Sequence, residues 1–210
     1  MKTFLFQGDS ITDANRNRNY DEHLGCGYAL LVAAELMKKY PGELRFLNRG
    51  VSGDRITEVY TRIKEDTINL RPDYLSILIG FNDVSHELTM QCGVDVEKFE
   101  KIYCMMIDEI KAALPEIKII LLEPFVLKGP STEKLYDSFV YEVGLRAAAT
   151  KRVAERYGLT FVPLQARLDA ACERCDSSWW SGDGVHPSFA GHQLIKEALI
   201  GEVEALVQGA

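Results

Sequence analysis

The sequence has no apolar run approaching the length of a membrane span. Met1-Lys2-Thr3 leads directly into the first apolar run, with no separate hydrophobic region and no cleavage site. No signal peptide is expected, and the expected location is cytoplasmic. Basic residues are in deficit: 24 Lys and Arg against 31 Asp and Glu leave a net charge of -7. That balance argues against nucleic acid or an anionic membrane as the main partner and favours a neutral or small substrate. Cysteine is sparse and odd in number, the five being Cys26, Cys92, Cys104, Cys172 and Cys175. Without a secretion signal, a disulfide framework is not expected. Cys172-Glu173-Arg174-Cys175 has suggestive spacing, but zinc would want a second pair. The pair also sits late, in a segment that reads as a short helix, where a thioredoxin-like motif would not lie. The cysteines are read as plain thiols and no metal or organic cofactor is expected. The chain shows no linker, low-complexity tract or internal repeat. No G-x-G-x-x-G run opens a helix, which weakens a flavin or nucleotide reading.

What remains is an ordinary globular composition, 47% hydrophobic over 210 residues, read as one domain spanning 1–210. Periodicities of two and of 3.6 residues alternate along it. Strands are expected at 3–7, 44–51, 74–79, 117–122 and 160–162. Helices are expected from Tyr28 to the Pro41-Gly42 break, over 56–70, over 99–114 before Pro115, over 133–157 before Gly158, and from about Ser188 onward. Strands separated by helices need crossover connections, so the sheet is parallel with helices on both faces. The expected fold is α/β, a three-layer α/β/α sandwich around a flavodoxin-like sheet of about five strands. The polar loop Asp13–Gly25 is long enough to shape a site beside a strand end.

Four stretches carry residues suited to chemistry: Gly8-Asp9-Ser10, Asn48 to Asp54, Gly80-Phe81-Asn82-Asp83, and Asp183-Gly184-Val185-His186-Pro187. The first three follow strands, at the sheet edge where open α/β folds bind ligands. Taken alone, Ser10 would read as a helix cap. As a nucleophile it needs a base, a group to orient that base, and donors for an oxyanion. His186 is the candidate base. Asp183, three residues earlier in a tight turn, is placed to hold its Nδ1 and leave Nε2 for the serine hydroxyl. Ser10 N–H, Gly53 N–H and the Asn82 side-chain amide are the candidate oxyanion donors. His23, His86 and His192 are read as non-catalytic. Asp83 is read as a loop organiser, and Asp54 as the N-cap of the helix starting at Ile56.

Gly-Asp-Ser-Ile at 8–11, Gly53 within Gly-Val-Ser-Gly, Gly80-x-Asn82-Asp83 and Asp183-x-x-His186-Pro187 together resemble the four motif blocks of the SGNH (GDSL) hydrolases, in that family's order. The resemblance implies a three-layer fold of flavodoxin type and a metal-free esterase. It implies Ser10 as nucleophile, His186 as base, Asp183 as third member, and Ser10, Gly53 and Asn82 as oxyanion donors. Ile11 replaces the usual leucine. Phe6 to Asp13, Arg16-x-Arg18, Asn48 to Gly53, Arg71-Pro72-Asp73, Glu123-Pro124-Phe125 and Val185-His186-Pro187-Ser188 are similar to the intracellular acetylxylan esterase branch. That likeness implies removal of acetyl groups from short xylo-oligosaccharides and a possible homo-oligomer. The branch tends to carry an aromatic directly before the Asp of Asp-x-x-His, where this chain has Gly182, with Trp179 and Trp180 upstream.

The candidate substrate contacts are Asp9, Arg16, Arg18, Trp179 and Trp180. Each has a plainer reading: Asp9 bonding loop amides behind the serine, the arginines as solvated or subunit-contact charges, the tryptophans as loop packing. The competing functions are a broad short-chain esterase, lysophospholipase or thioesterase, separable by acyl-length preference, and a non-catalytic carbohydrate-binding module. A glycosidic acid/base pair of Glu123 and Asp83 has no supporting spacing.

Overall fold

The first strand, β1 (Lys2–Gly8), sends Phe4 and Phe6 to one face and Leu5 to the other, and all three are fully buried. A strand apolar on both faces must be covered on both faces, and this dictates the layers. The computed structural model describes residues 1–208. In it β1 pairs in parallel with β2 (Leu44–Asn48) on one side and β3 (Tyr74–Leu78) on the other; β4 (Lys118–Leu122) and β5 (Thr160–Val162) complete the sheet in the order β2-β1-β3-β4-β5.

The helices are α1 (Ser10–Asp13), α2 (Tyr28–Lys39), α3 (Ile56–Ile63), α4 (Phe81–Met90), α5 (Val96–Ala113), α6 (Tyr136–Tyr157), α7 (Gln165–Cys172), α8 (Ser177–Trp180) and α9 (Phe189–Gln208). Phe4 and Phe6 pack with Tyr28, Val32 and Leu36 of α2 and Ile195, Leu199 and Val203 of α9. Leu5 packs on the opposite face with Val59 and Ile63 of α3, Phe99, Tyr103 and Ile107 of α5, and Val153 of α6. Two cores back to back across one sheet make the three-layer α/β/α sandwich. No helix among the described residues is long and apolar enough to cross a membrane.

The expected elements form with modest shifts. The 56–70 helix divides into α3 and a π-helical turn over Lys64–Ile68. Helix α5 starts at Val96 rather than Phe99, because the Asp95 side chain accepts the Lys98 N–H at 2.8 Å and caps it. Helix α6 ends on Gly158 in the left-handed conformation, φ 61°. Helix α4 was not expected. It buries only Phe81, Asp83 and Val84, so its sequence carries too short an apolar stripe to announce a helix.

One cap assignment is corrected. The first amide of α3, Ile56 N–H, donates not to Asp54 but to the Asp83 carboxylate, at 3.1 and 3.2 Å. Asp54 instead pairs with Arg62 at 2.7 Å. The carboxylate that caps α3 therefore comes from another element, α4, a relation no local pattern contains.

In this strand order the chain leaves β1 toward β2 on one side and returns to β3 on the other. The carboxyl ends of β1 and β3 thus flank the switch point where such sheets hold ligands.

Candidate active site

Gly8 closes β1 under tight constraint. A Cβ there would lie 2.2 Å from the Leu78 carbonyl oxygen of β3 and 2.4 Å from Thr12 Oγ1. Only glycine lets the strand end approach its neighbour this closely. The chain then turns into α1, whose cap is Asp9, its Oδ1 accepting Ile11 N–H at 2.9 Å. Asp9 is 2% exposed. This corrects its candidacy as a substrate contact: the side chain lies behind the serine, bonded to the loop. Burial pushes its carboxyl up to about 7, against the opposing pull of the Ile11 amide and of His186.

Ser10 is the first residue of α1, so its own N–H has no intrahelical partner. Its Oγ lies 2.9 Å from His186 Nε2, across 176 residues of sequence. His186 Nδ1 lies 2.6 Å from Asp183 Oδ2. Asp183 Oδ1 meanwhile accepts the N–H groups of Val185 and His186, at 2.9 and 2.8 Å. Burial raises the Asp183 carboxyl, but the bonds from the His186 ring and from these two amides outweigh it and hold the group below the ordinary carboxylate range.

The turn that carries His186 is strapped down. Leu127 N–H donates to Gly184 O and Ser131 N–H to Asp183 O, at 2.9 and 3.0 Å. Inside the turn, the buried Ser181 hydroxyl donates to His186 O at 2.9 Å and accepts Gly184 N–H at 3.0 Å. Ser181 was not singled out from sequence. Its only signal is a hydroxyl two residues ahead of Asp183.

The remaining candidate donors come from two other strand ends. Gly53 sits in the loop after β2 with φ 87°, a backbone that a residue with Cβ adopts at a cost. A Cβ there would meet nothing within 4 Å, so conformation rather than crowding calls for glycine. Asn82, the second residue of α4, donates one side-chain N–H to Asp54 O at 3.0 Å and so braces the Gly53 loop. Arg62 ties the same edge together from below: its guanidinium donates to the carbonyls of Arg49 and Gly8, at 2.8 and 3.3 Å.

Beside Ser10 and His186 opens a cleft of about 500 Å³. Ile11, Ala14, Cys26 and Phe189 supply apolar surface, and Asn15, Ser52 and His192 are polar. His192 Nδ1 accepts the Tyr28 N–H at 3.2 Å, so its proton is on Nε2. Burial pushes its pKa down to about 4, helped by the charge of His186.

The other expected substrate contacts do not line the cleft. Arg16 Nε donates to Gly50 O at 2.8 Å, and Arg18 pairs with the buried Asp13 at 3.0 Å. Asp13 also accepts from the Ser52 N–H at 3.2 Å and organises both neighbouring loops, a role sequence reasoning missed. Trp180 packs against the α2/α9 core. Trp179 is exposed, but outside the cleft. Among the described residues, no group of three or more His, Cys, Asp or Glu side chains is arranged to hold a metal ion.

Comparison with known proteins is consistent from sequence to fold. The family model for GDSL-like lipases/acylhydrolases matches residues 6–194. An acetylxylan esterase from Geobacillus stearothermophilus is 32% identical over 209 residues, 95% of this chain and 92% of that protein. A crystal structure of an acetylxylan esterase from the same organism superposes with a TM-score of 0.86 at 30% identity, covering 96% of this chain and 94% of that one. A Parabacteroides merdae protein provisionally assigned as a GDSL-like lipase superposes with a TM-score of 0.91 at 36% identity, over 98% of this chain and 96% of that one.

Proposed function

Because the chain belongs to the GDSL-like lipase/acylhydrolase family and is thereby a carboxylic ester hydrolase, we propose that it removes acetyl groups from acetylated carbohydrates, xylo-oligosaccharides foremost. The observation that carries the reading is the unbroken line Ser10 Oγ, His186 Nε2, His186 Nδ1, Asp183 Oδ2, with contacts of 2.9 and 2.6 Å. Support for the acetyl-sugar substrate comes from the Geobacillus stearothermophilus relative and from a cleft large enough for a sugar ring beside the ester.

In this mechanism Ser10 Oγ attacks the acetyl carbonyl carbon while His186 Nε2 takes the hydroxyl proton. Asp183 keeps the imidazole in the tautomer with Nδ1 protonated and balances the imidazolium that forms. A carboxylate held below its ordinary pKa stays charged for this task across the neutral range. The tetrahedral oxyanion is met by Ser10 N–H, Gly53 N–H and the second N–H of Asn82. Losing one such donor costs about 2.7–4 kcal/mol of barrier, on the order of 10²–10³ in kcat. His186 then returns its proton to the departing sugar oxygen. Water, deprotonated by the same imidazole, attacks the acetyl-serine and releases acetate.

Two measurements test this. A fluorophosphonate should label one site, Ser10, and Ser10→Ala should abolish the labelling; a tryptic adduct elsewhere, or none, overturns the assignment. Acetate release should be greatest from acetylated xylo-oligosaccharides in a panel that includes acetylated pectin, mannan and chitin fragments. Faster turnover of octanoyl than acetyl esters would point instead to a lipase-like acyl preference.

A further inference from the structure

The first residue of α9, Phe189, is 77% exposed and yet is a wall of the cleft that holds Ser10 Oγ and His186. A single exposed phenylalanine carries no message by itself. Its place does. In ester cleavage the leaving oxygen must reach His186 Nε2 to take back a proton, so the leaving alcohol lies on the imidazole side of the scissile bond. Pro187, Ser188 and Phe189, which directly follow His186 in the chain, line the same cleft as the imidazole.

The backbone beneath Phe189 is fixed. Ser188 N–H donates to Trp180 O at 2.8 Å and Ser188 Oγ donates to Trp179 O at 2.6 Å. Ser188 O in turn accepts His192 N–H at 2.8 Å. Gly191 seats α9 against α8 so closely that a Cβ there would stand 2.2 Å from Trp180 O. An aromatic ring on a fixed base loses little freedom when a ligand lies on it. A cleft of about 500 Å³ also far exceeds what an acetyl group fills, leaving room for a ring beyond the ester oxygen.

We infer that Phe189 is the specificity platform of this site, stacking on the apolar C–H face of the sugar ring that leaves as the alcohol. A pyranose presents such a face, and burying it on an aromatic ring removes apolar surface of both from water. The inference rests on the carbohydrate-ester reading above. It assigns to Phe189 the contact that the sequence pattern offered to Trp179 and Trp180.

The test compares kcat/KM on a monoacetylated xylobiose with that on ethyl acetate, whose leaving group has no ring. For Phe189→Ala the ratio should fall roughly five- to tenfold, carried by KM on the sugar ester, and Phe189→Tyr should restore most of it. An unchanged ratio in a wild-type enzyme that does release acetate from xylobiose overturns the platform and leaves the proposed function standing. A wild-type enzyme that cleaves ethyl acetate but no acetylated sugar overturns both. If Phe189→Ala lowers both substrates equally, or light scattering shows that it dissociates an oligomer with the ratio unchanged, the residue shapes the turn or an interface and the platform is wrong.

Discussion

At the scale of single residues, Asp183 is the most exacting choice in the site. Asn at 183 would still accept the two backbone amides through its Oδ1. It would turn an N–H toward His186 Nδ1, forcing the imidazole into the tautomer with Nε2 protonated, which has no lone pair for the Ser10 proton. Asp183→Asn is therefore expected to lose on the order of 10⁴-fold in kcat with KM for a small acetyl ester changed far less, read from steady-state kinetics. His192 makes a separate prediction through stability. Its folded pKa is depressed to about 4 from the ordinary 6.5, so the unfolded chain takes up the proton first as pH falls. The associated stability is present above pH 6.5 and is lost as pH drops toward 4, an effect of roughly 3 kcal/mol in full. Asp9 and Asp83, both raised to about 7 mainly by burial, act with the opposite sign, losing stability as pH rises from their unfolded value toward 7. Comparing urea midpoints of wild type and His192→Gln at pH 7 and pH 5 isolates the histidine. On going from pH 7 to pH 5 the midpoint of the variant should move upward relative to that of wild type, and identical changes in the two would contradict the shift.

At the scale of elements, the loop that carries Gly53 runs into a helix whose cap is delivered from outside its own segment. Asp83 of α4 accepts the first amide of α3, while Asn82, one residue earlier, braces the loop that carries Gly53. One short helix thus supplies a candidate donor and fixes the position of another. Asp83→Ala leaves Ile56 N–H buried without its acceptor and should cost about 1–3 kcal/mol in a denaturant titration. It should also lower kcat, because the Gly53 amide is no longer held. A stability loss with kcat intact would separate the cap from the site.

At the scale of the whole molecule, the two cores meet only through the sheet, and β1 serves both. Phe4→Ala opens one core and Leu5→Ala the other, and because both side chains are fully buried each should cost about 2–5 kcal/mol by urea denaturation. Equal losses on the two faces would reflect a sheet loaded from both sides; a small loss at Leu5 would mean the α3/α5 face collapses around the gap. Much of this architecture was legible along the chain. Short apolar runs marked the five strands, Gly158 the end of α6, and the four short motifs the edge of the sheet, because strands, caps and turns are governed by residues a few positions apart. Helix α4, the Asp83 cap, the clamp of Arg62 on Gly8 and Arg49, and the turn-locking hydroxyl of Ser181 were not legible. Each depends on a partner brought from another element or on a turn's closed geometry. The same division holds for the site. The residue types and their order along the chain were determined by sequence alone. Which of them meet was decided by the β2-β1-β3-β4-β5 order and by the packing of α8 on α9, since only the folded backbone carries a hydroxyl at residue 10 to within 2.9 Å of an imidazole at residue 186 and leaves Phe189, rather than either tryptophan, facing the cleft between them.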